Sequence, residues 1–192
     1  SAVRTKREWT LGINSSLPDD IVVHWANEVD DEFDARRSAL LRRYRYLIME
    51  RETRSALFRH RTWWLRKKLD SKSMTSAATR LLGEHDFSAF RASSCQSYSP
   101  IRRLVSVGIN RVGDLLHLEF TANAFLQHMV RNLVGVLAEI GCGKASPNWA
   151  EEVLNSRDRT KGGVTAPPQG LSLIGVTYPD RYDLPSSVDK SI

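Results

Sequence analysis

Segment 123–140 constrains the fold more than any other stretch of this chain. Phe125, Met129, Leu133, Val136, Leu137 and Ile140 recur at three- and four-residue spacing and stop at Gly141. That period predicts an amphipathic helix over Asn123–Ile140, and a helix with an apolar stripe must lie on an apolar surface. Strand-like segments on both sides supply one. Ile101–Ile109 and Leu115–Thr121 read as a hairpin around Asn110-Arg111-Val112-Gly113-Asp114. Leu40–Met49 reads as a strand with Arg42, Tyr44, Tyr46 and Ile48 on one face and Arg43, Arg45 and Leu47 on the other. Ala166-Pro167-Pro168-Gln169-Gly170 is a stiff loop entering a strand over Leu171–Tyr178. Shorter elements complete the pattern: a helix over 4–14 with apolar Trp9, Leu11 and Ile13, a strand over Ile21–Val29, and helices over Asp70–Leu82 and Trp149–Leu154. From Pro179 onward the chain reads as a polar, loose tail. The expected class is α+β with a largely antiparallel sheet flanked by helices.

With 192 residues, 41% of them hydrophobic, the chain can bury a sizeable core. No apolar run approaches the ~18 residues of a membrane span, which excludes an integral membrane helix and predicts a protein without a membrane partner. Cys95 and Cys142 cannot staple a fold of this size and lie in no paired metal-ligand spacing, so a reducing compartment is the simpler setting. Charge is distributed unevenly. Residues 1–35 hold 3 basic and 8 acidic side chains, whereas residues 36–68 hold 12 basic and 2 acidic. Ten of those 12 are arginine, and Tyr44, Tyr46, Trp63 and Trp64 are interleaved with them. Arginine binds phosphate bidentately and stacks on bases, which favours RNA over a merely solvated face.

Three features could carry chemistry. Tyr44 sits mid-strand beside arginines, where a phenol could stack on a base; the plainer alternative is a half-buried core tyrosine. Arg131 interrupts the apolar run Met129-Val130-Arg131-Asn132-Leu133-Val134, a costly position for a charge unless a carboxylate or phosphate meets it. At ~100° per residue it lies roughly 160° from the apolar stripe, so periodicity alone turns it to water. The third is the proline loop 166–170, which could line a cleft or merely begin a strand. No phosphate-cradling glycine loop, zinc-binding HExxH, nucleophile elbow or CxxC is present. Residues alone lead to a basic α+β protein that binds RNA.

A set of ordered motifs leads further. They are Trp9-Thr10-Leu11-Gly12-Ile13-Asn14 with Leu17-Pro18 and Asp20-Ile21; Phe33, Ala35-Arg36 and Ser38-Ala39; and Arg43-Tyr44-Arg45-Tyr46. Gly83-Glu84, Asp86-Phe87 and Phe90-Arg91-Ala92 follow, with Cys95-Gln96-Ser97. Then come Ala122-Asn123-Ala124-Phe125 with His128-Met129-Val130-Arg131-Asn132, Asp158-Arg159-Thr160, Gly170-Leu171 with Leu173, and Tyr178-Pro179-Asp180-Arg181-Tyr182. In this order and across nearly the whole chain, they resemble the bacterial tRNA pseudouridine synthase A family.

The resemblance implies a pseudouridine synthase fold and a cofactor-free, metal-free isomerase. Its substrate would be uridines of the tRNA anticodon stem-loop (tRNA positions 38–40), flipped from the stack and attacked by an aspartate nucleophile. It implies that Tyr44 stacks on the uracil and can serve a late proton transfer, and that Arg131 pairs with the nucleophile, which would account for a charge in this helix. Leu171 would line the uracil pocket. Arg4, the loop Phe33, Asp34, Ala35, Arg36 and Arg37, and the stretch Ser94, Cys95, Gln96, Ser97 and Tyr98 match tRNA-contacting positions. A cytoplasmic homodimer with tRNA across both subunits is also implied. Three positions depart from the family pattern: Asp34 stands where His is usual, Arg37 where Phe is frequent, and Gln127 where His is frequent. The family's nucleophile lies in an Arg-Thr-Asp-Ala-Gly-Val-His motif that does not occur in these residues. The expected organisation is therefore 1–35 as remnant and linker of an N-terminal ferredoxin-like part otherwise truncated here, 36–180 as the catalytic-core domain, and 181–192 as a flexible tail. The chain alone is expected to be inactive. The alternative is a non-catalytic fragment that binds tRNA or dimerises.

Overall fold

The computed structural model describes residues 4–185. Its centre is a six-stranded sheet built around β1 (Leu41–Glu50). One edge of β1 pairs along its length with antiparallel β5 (Leu115–Ala122). The other edge is shared: β6 (Leu171–Thr177) runs antiparallel to Leu41–Tyr46, and β2 (Trp63–Leu65) runs parallel to Ile48–Glu50. Beyond β5 lie β4 (Ile101–Val112) and the short β3 (Gly83–Asp86). Every pairing but that of β2 is antiparallel, as the patterning predicts.

The alternation in β1 and β5 decides which face is covered. Tyr46 and Ile48, with Leu116, Leu118, Phe120 and Ala122, are fully buried on one face. Three helices cover it: α2 (Ser71–Thr79), α3 (Met129–Gly141) and α4 (Trp149–Ser156). Asp70 starts α2 by accepting the amides of Lys72 and Ser73, and Gly83 follows it with φ 106, a left-handed value that favours glycine. The β4–β5 turn likewise uses Gly113, at φ 58. At the end of β1, buried Glu50 receives Arg111 through Nε at 2.7 Å and Nη2 at 3.1 Å, and also accepts the Leu69 amide. Those three bonds make the buried charge tolerable.

The structure corrects three expectations. Ile21–Val29 forms no strand. The Asn14 side chain bonds both the amide and the carbonyl of Val23 at 2.8 Å, satisfying the groups a neighbouring strand would have paired. The major helix begins at Met129, not Asn123. Asn123 Oδ1 accepts the Arg103 and Ala124 amides, which fastens the segment to β4 instead, and His128 turns the chain at φ 61 before the helix starts. The tail expected to be loose is packed where it begins. Tyr182 is buried, with its ring 5.0 Å from that of Phe33; residues 186–192 of that tail lie outside the described residues. The first helix, α1 (Lys6–Asn14), forms with a capping box between Thr5 and Glu8 but buries no side chain.

Candidate functional site

A cleft of about 1050 Å³ opens where the first half of β1, β6 and the N-terminus of α3 meet. Tyr44 projects into it from β1, Leu171 and Leu173 from β6, and Arg131 from the first turn of α3. The ring of Phe125, in the segment the sequence assigns to helix, stands edge-on to Tyr44 at 5.1 Å and fixes its plane. Tyr44 is thus both packed against the core and presented to the cleft, joining the two roles that its position in sequence leaves open.

Arg131 does not face bulk water. Eleven of the 13 residues of α3 are buried, so the side opposite the apolar stripe is also covered, by the loop 163–167. Arg131 Nε donates to the Ala166 carbonyl at 2.6 Å, and the Ala166 amide donates back to the Arg131 carbonyl at 3.1 Å. Among the described residues Arg131 has no acidic partner within ion-pair distance. That leaves its Nη groups available at the cleft wall.

The loop that holds Arg131 is fixed at four consecutive residues. A Cβ on Gly135 would lie 1.8 Å from the Val164 carbonyl oxygen, so only glycine lets helix and loop approach this closely. Thr165 Oγ1 donates to Asn132 Oδ1 at 2.7 Å, and Arg159 Nη2 bridges Asn132 Oδ1 and Thr165 Oγ1. Ala166 holds Arg131, and the Tyr46 hydroxyl donates to the Pro167 carbonyl at 2.6 Å. Burial raises the Tyr46 phenol well above the usual tyrosine range, against a smaller lowering by the Arg131 charge, so it stays a donor.

The wall at 94–97 and the loop at 33–38 close the sides. Arg91 Nη2 donates to the Cys95 carbonyl, Arg102 Nη2 donates to Ser97 Oγ, and Ser94 Oγ donates to Gln127 Oε1. Burial pushes the Cys95 thiol up, but amide bonds from Ser97 and Gln127 and the Arg91 charge outweigh it and leave it lowered. Arg42, absent from the expected site, donates to the Ala39 and Asn123 carbonyls and to the carbonyl of Arg36. It ties the 33–38 loop to the root of β5. Tyr178 Oη donates to the Ala35 carbonyl, and Phe33 stacks between Tyr178 and Tyr182.

The structure brings Tyr44, Arg131, Leu171, Ala35, Arg36, Ser94, Cys95, Gln96 and Ser97 to one cleft. Other expected positions lie elsewhere. Arg4 is exposed near α1 with its guanidinium 5.3 Å from the Trp9 ring centroid. Phe33 packs into the β6 end, and Tyr98 points outward fully exposed. Asp34 and Arg37 pair with each other at 3.1 Å. Asp34 also accepts the Arg37 and Arg36 amides, and the Arg37 amide foremost holds its carboxyl below the usual range. A carboxylate at this position thus shapes its own loop. Arg42, Phe125, Gln127, His128 and Arg102 also line the cleft. Arg42 was legible only as sharing a strand face with Tyr44; Phe125 and His128 stood in a family motif and Gln127 as a departure from it, without a place in the site, and Arg102 carried no signal of its own.

Strand, helix and loop thus bring the Arg131 guanidinium and the Tyr44 phenol to one basic cleft, also lined by Arg36, Arg42 and Arg102. A family model described as tRNA pseudouridine synthase matches residues 77–179. The chain is 46% identical to a tRNA pseudouridine synthase A of Coxiella burnetii (strain Dugway 5J108-111), over 96% of this chain and 71% of the relative. It is 49% identical to one from Methylococcus capsulatus, covering 94% and 67%, and 47% identical to one from Shewanella sediminis, covering 96% and 71%. The chain belongs to the tRNA pseudouridine synthase A family.

Proposed function

We propose that the cleft receives a flipped-out uridine of the tRNA anticodon stem-loop and is the place where it becomes pseudouridine. The observation that carries this reading is the convergence on one cleft of Tyr44, held edge-on by Phe125, with Arg131, fixed at Nε with its Nη groups available. Tyr44 stacks on the uracil, while Leu171 and Leu173 give the base an apolar wall. Arg131 aims and keeps ionised the carboxylate nucleophile. The carboxylate bonds to C1′ of the ribose as the bond from N1 of the uracil breaks, the base turns within the cleft, and C5 bonds to C1′ as the carboxylate leaves. The C5 proton is then lost and N1 takes one up, so the reaction is an isomerisation with no net redox change. These steps move no electrons or groups to an outside carrier, and the reading includes no metal or organic cofactor. The family's aspartate motif is not among these 192 residues, and the reading requires that its carboxylate be brought to Arg131.

On this reading the catalytic-core domain is 36–180, with residues 1–35 as a linking segment. Arg36 and Ser94–Ser97 touch the RNA around the target base, with Arg4, Arg37 and Tyr98 farther out. The protein acts in the cytoplasm as a homodimer with tRNA across both subunits. Among the described residues no helix is long and apolar enough to cross a membrane.

The test is tritium release from tRNA carrying 5-tritiated uridine. It is run on these 192 residues alone and on the same residues joined N-terminally to the part of the Coxiella burnetii relative that the alignment leaves unmatched. The expected result is release only from the joined protein. Release by the 192 residues alone would place the nucleophile within them. Tight tRNA binding without release from a folded joined protein would favour a binding module.

A further inference from the structure

We infer that the arginine-rich loop joining β1 to β2 is a second RNA-contacting surface, remote from the uridine cleft, which grips backbone phosphates of the tRNA body. The inference rests on the tRNA substrate proposed above. The loop with β2 and the three residues that follow it, 51–68, holds seven basic side chains (Arg51, Arg54, Arg59 and Arg61 in the loop itself, then Arg66, Lys67 and Lys68 after β2) against Glu52 alone. Their net charge of +6 equals that of the entire chain, so the remainder sums to zero. Among the described residues none of the seven has an acidic partner within ion-pair distance. The side-chain hydrogen bonds they make are local, Arg51 Nη2 to Thr53 Oγ1 and Arg59 Nε to His60 Nε2. Like charges crowded without internal compensation call for an external polyanion.

The loop has a defined shape. Its two roots are joined by the Arg51 amide to the Leu65 carbonyl at 3.1 Å and by Trp64 Nε1 to the Arg51 carbonyl at 2.9 Å. Inside, the Phe58 amide donates to Ser55 Oγ and Thr62 Oγ1 donates back to the Phe58 carbonyl, while Thr62 is buried. Arg54, Arg59 and Arg61 are exposed on this frame. Position separates the loop from the cleft. Tyr44 stands at the cleft and Glu50 at the loop's root, six residues along one strand, or ~20 Å at ~3.3 Å per residue. That separation exceeds the reach of the nucleotides flanking a flipped base. Contacts there would position the RNA without reading its sequence.

The experiment compares intact tRNA with the isolated anticodon stem-loop hairpin, both titrated against the 192-residue chain over a salt series. The variant is R54Q/R59Q/R61Q, which leaves the cleft untouched. The expected result is a fall of about 2 in the log–log salt slope for tRNA, at ~0.7–0.9 per phosphate contact, with affinity at ~0.1 M salt reduced about tenfold or more. The loss of hairpin affinity should be clearly smaller than the loss for tRNA, because fewer of the hairpin's phosphates reach the loop. Equal losses for hairpin and tRNA would place the loop in the cleft's own grip and overturn the inference. An unchanged tRNA slope would overturn it too. Failure of the wild-type chain to bind either RNA would instead remove the tRNA reading on which it rests.

Discussion

The two ends of β1 use arginine in opposite ways. At the cleft end the guanidinium groups cross-link the backbone: Arg42 reaches the Ala39 and Asn123 carbonyls, Arg131 the Ala166 carbonyl, Arg91 the Cys95 carbonyl and Arg102 the Ser99 carbonyl. At the far end Arg54, Arg59 and Arg61 stand on an exposed loop with no ion pair among the described residues. Glu50 and Arg111 mark the boundary with a buried pair. Where a reaction needs atoms held to fractions of an ångström, the planar fork acts as a brace. Where only a field is needed, the same side chain is left to solvent and counterions. Substitutions at the first end should therefore change rate and stability, and those at the second only association.

Arg131→Lys should break the comparison most sharply. Lysine keeps the charge but cannot hold the Ala166 carbonyl with Nε while offering two further donors to a carboxylate. In the joined protein that contains the nucleophile, the rate of tritium release should fall by about 10²–10³, the scale of losing one preorganised electrostatic contact. KM for tRNA should move less than about threefold. A loss confined to KM would make Arg131 a binding residue only.

Gly135→Ala comes next. Its new Cβ would meet the Val164 carbonyl oxygen at 1.8 Å, contact with backbone that cannot swing aside. The loop must move outward and carry Ala166 away from Arg131. We expect a loss of ~1–3 kcal/mol in urea unfolding, the cost of overpacking, together with a fall in kcat. Stability lost with kcat unchanged would uncouple the loop from Arg131.

Tyr46→Phe removes the donor to Pro167 from the same loop, at a cost of ~1 kcal/mol. It also carries a pH signature. The folded phenol titrates above its unfolded value, chiefly through burial. Above the unfolded tyrosine pKa near ~10 the folded state therefore holds more protons than the unfolded state. Its contribution is complete below that pH and is lost as pH rises toward the folded value. Unfolding free energy measured from pH 8 to 11 should decline at the top of the range in the wild type and less steeply in the variant.

What could be read from the sequence follows the same division. Segments whose partners are near in sequence, or whose alternation is strong, were legible: β1, the β4–β5 hairpin, α2, α4 and β6. Net charge needs no geometry, so the far end announced itself in composition. The cleft end did not. Arg131's periodicity turned it to water because a helix wheel assumes one covered face, whereas α3 is covered on nearly all sides by partners more than thirty residues away, among them Ala166. Arg42 gave no sign that it would bind three carbonyls, since those acceptors come from separate segments. Ile21–Val29 looked like a strand because its β-branched residues satisfy the pattern, yet Asn14 supplies the pairing a neighbouring strand would have given. β2 and β3, at 3 and 4 residues, are too short to show a period. The ordered motifs named the family, but which of their residues meet in space required the fold.

The smallest effect gives the cleanest contrast: the same substitution at each end of the strand. Arg42→Gln leaves the Ala39 and Asn123 carbonyls without their guanidinium donor and frees the 33–38 loop from the root of β5. These groups are near solvent, so water replaces part of what is lost, and we expect ~1 kcal/mol of destabilisation. KM for tRNA should rise a few-fold because Ala35 and Arg36 line the cleft from that loop. Arg59→Gln removes a side chain whose partner is the adjacent His60 on an exposed loop. Its thermal unfolding should be unchanged within ~0.5 kcal/mol, and only the salt dependence of tRNA binding should respond. Equal destabilisation by the two variants would mean that the far-end arginines also brace the backbone, and the division between brace and field would fail.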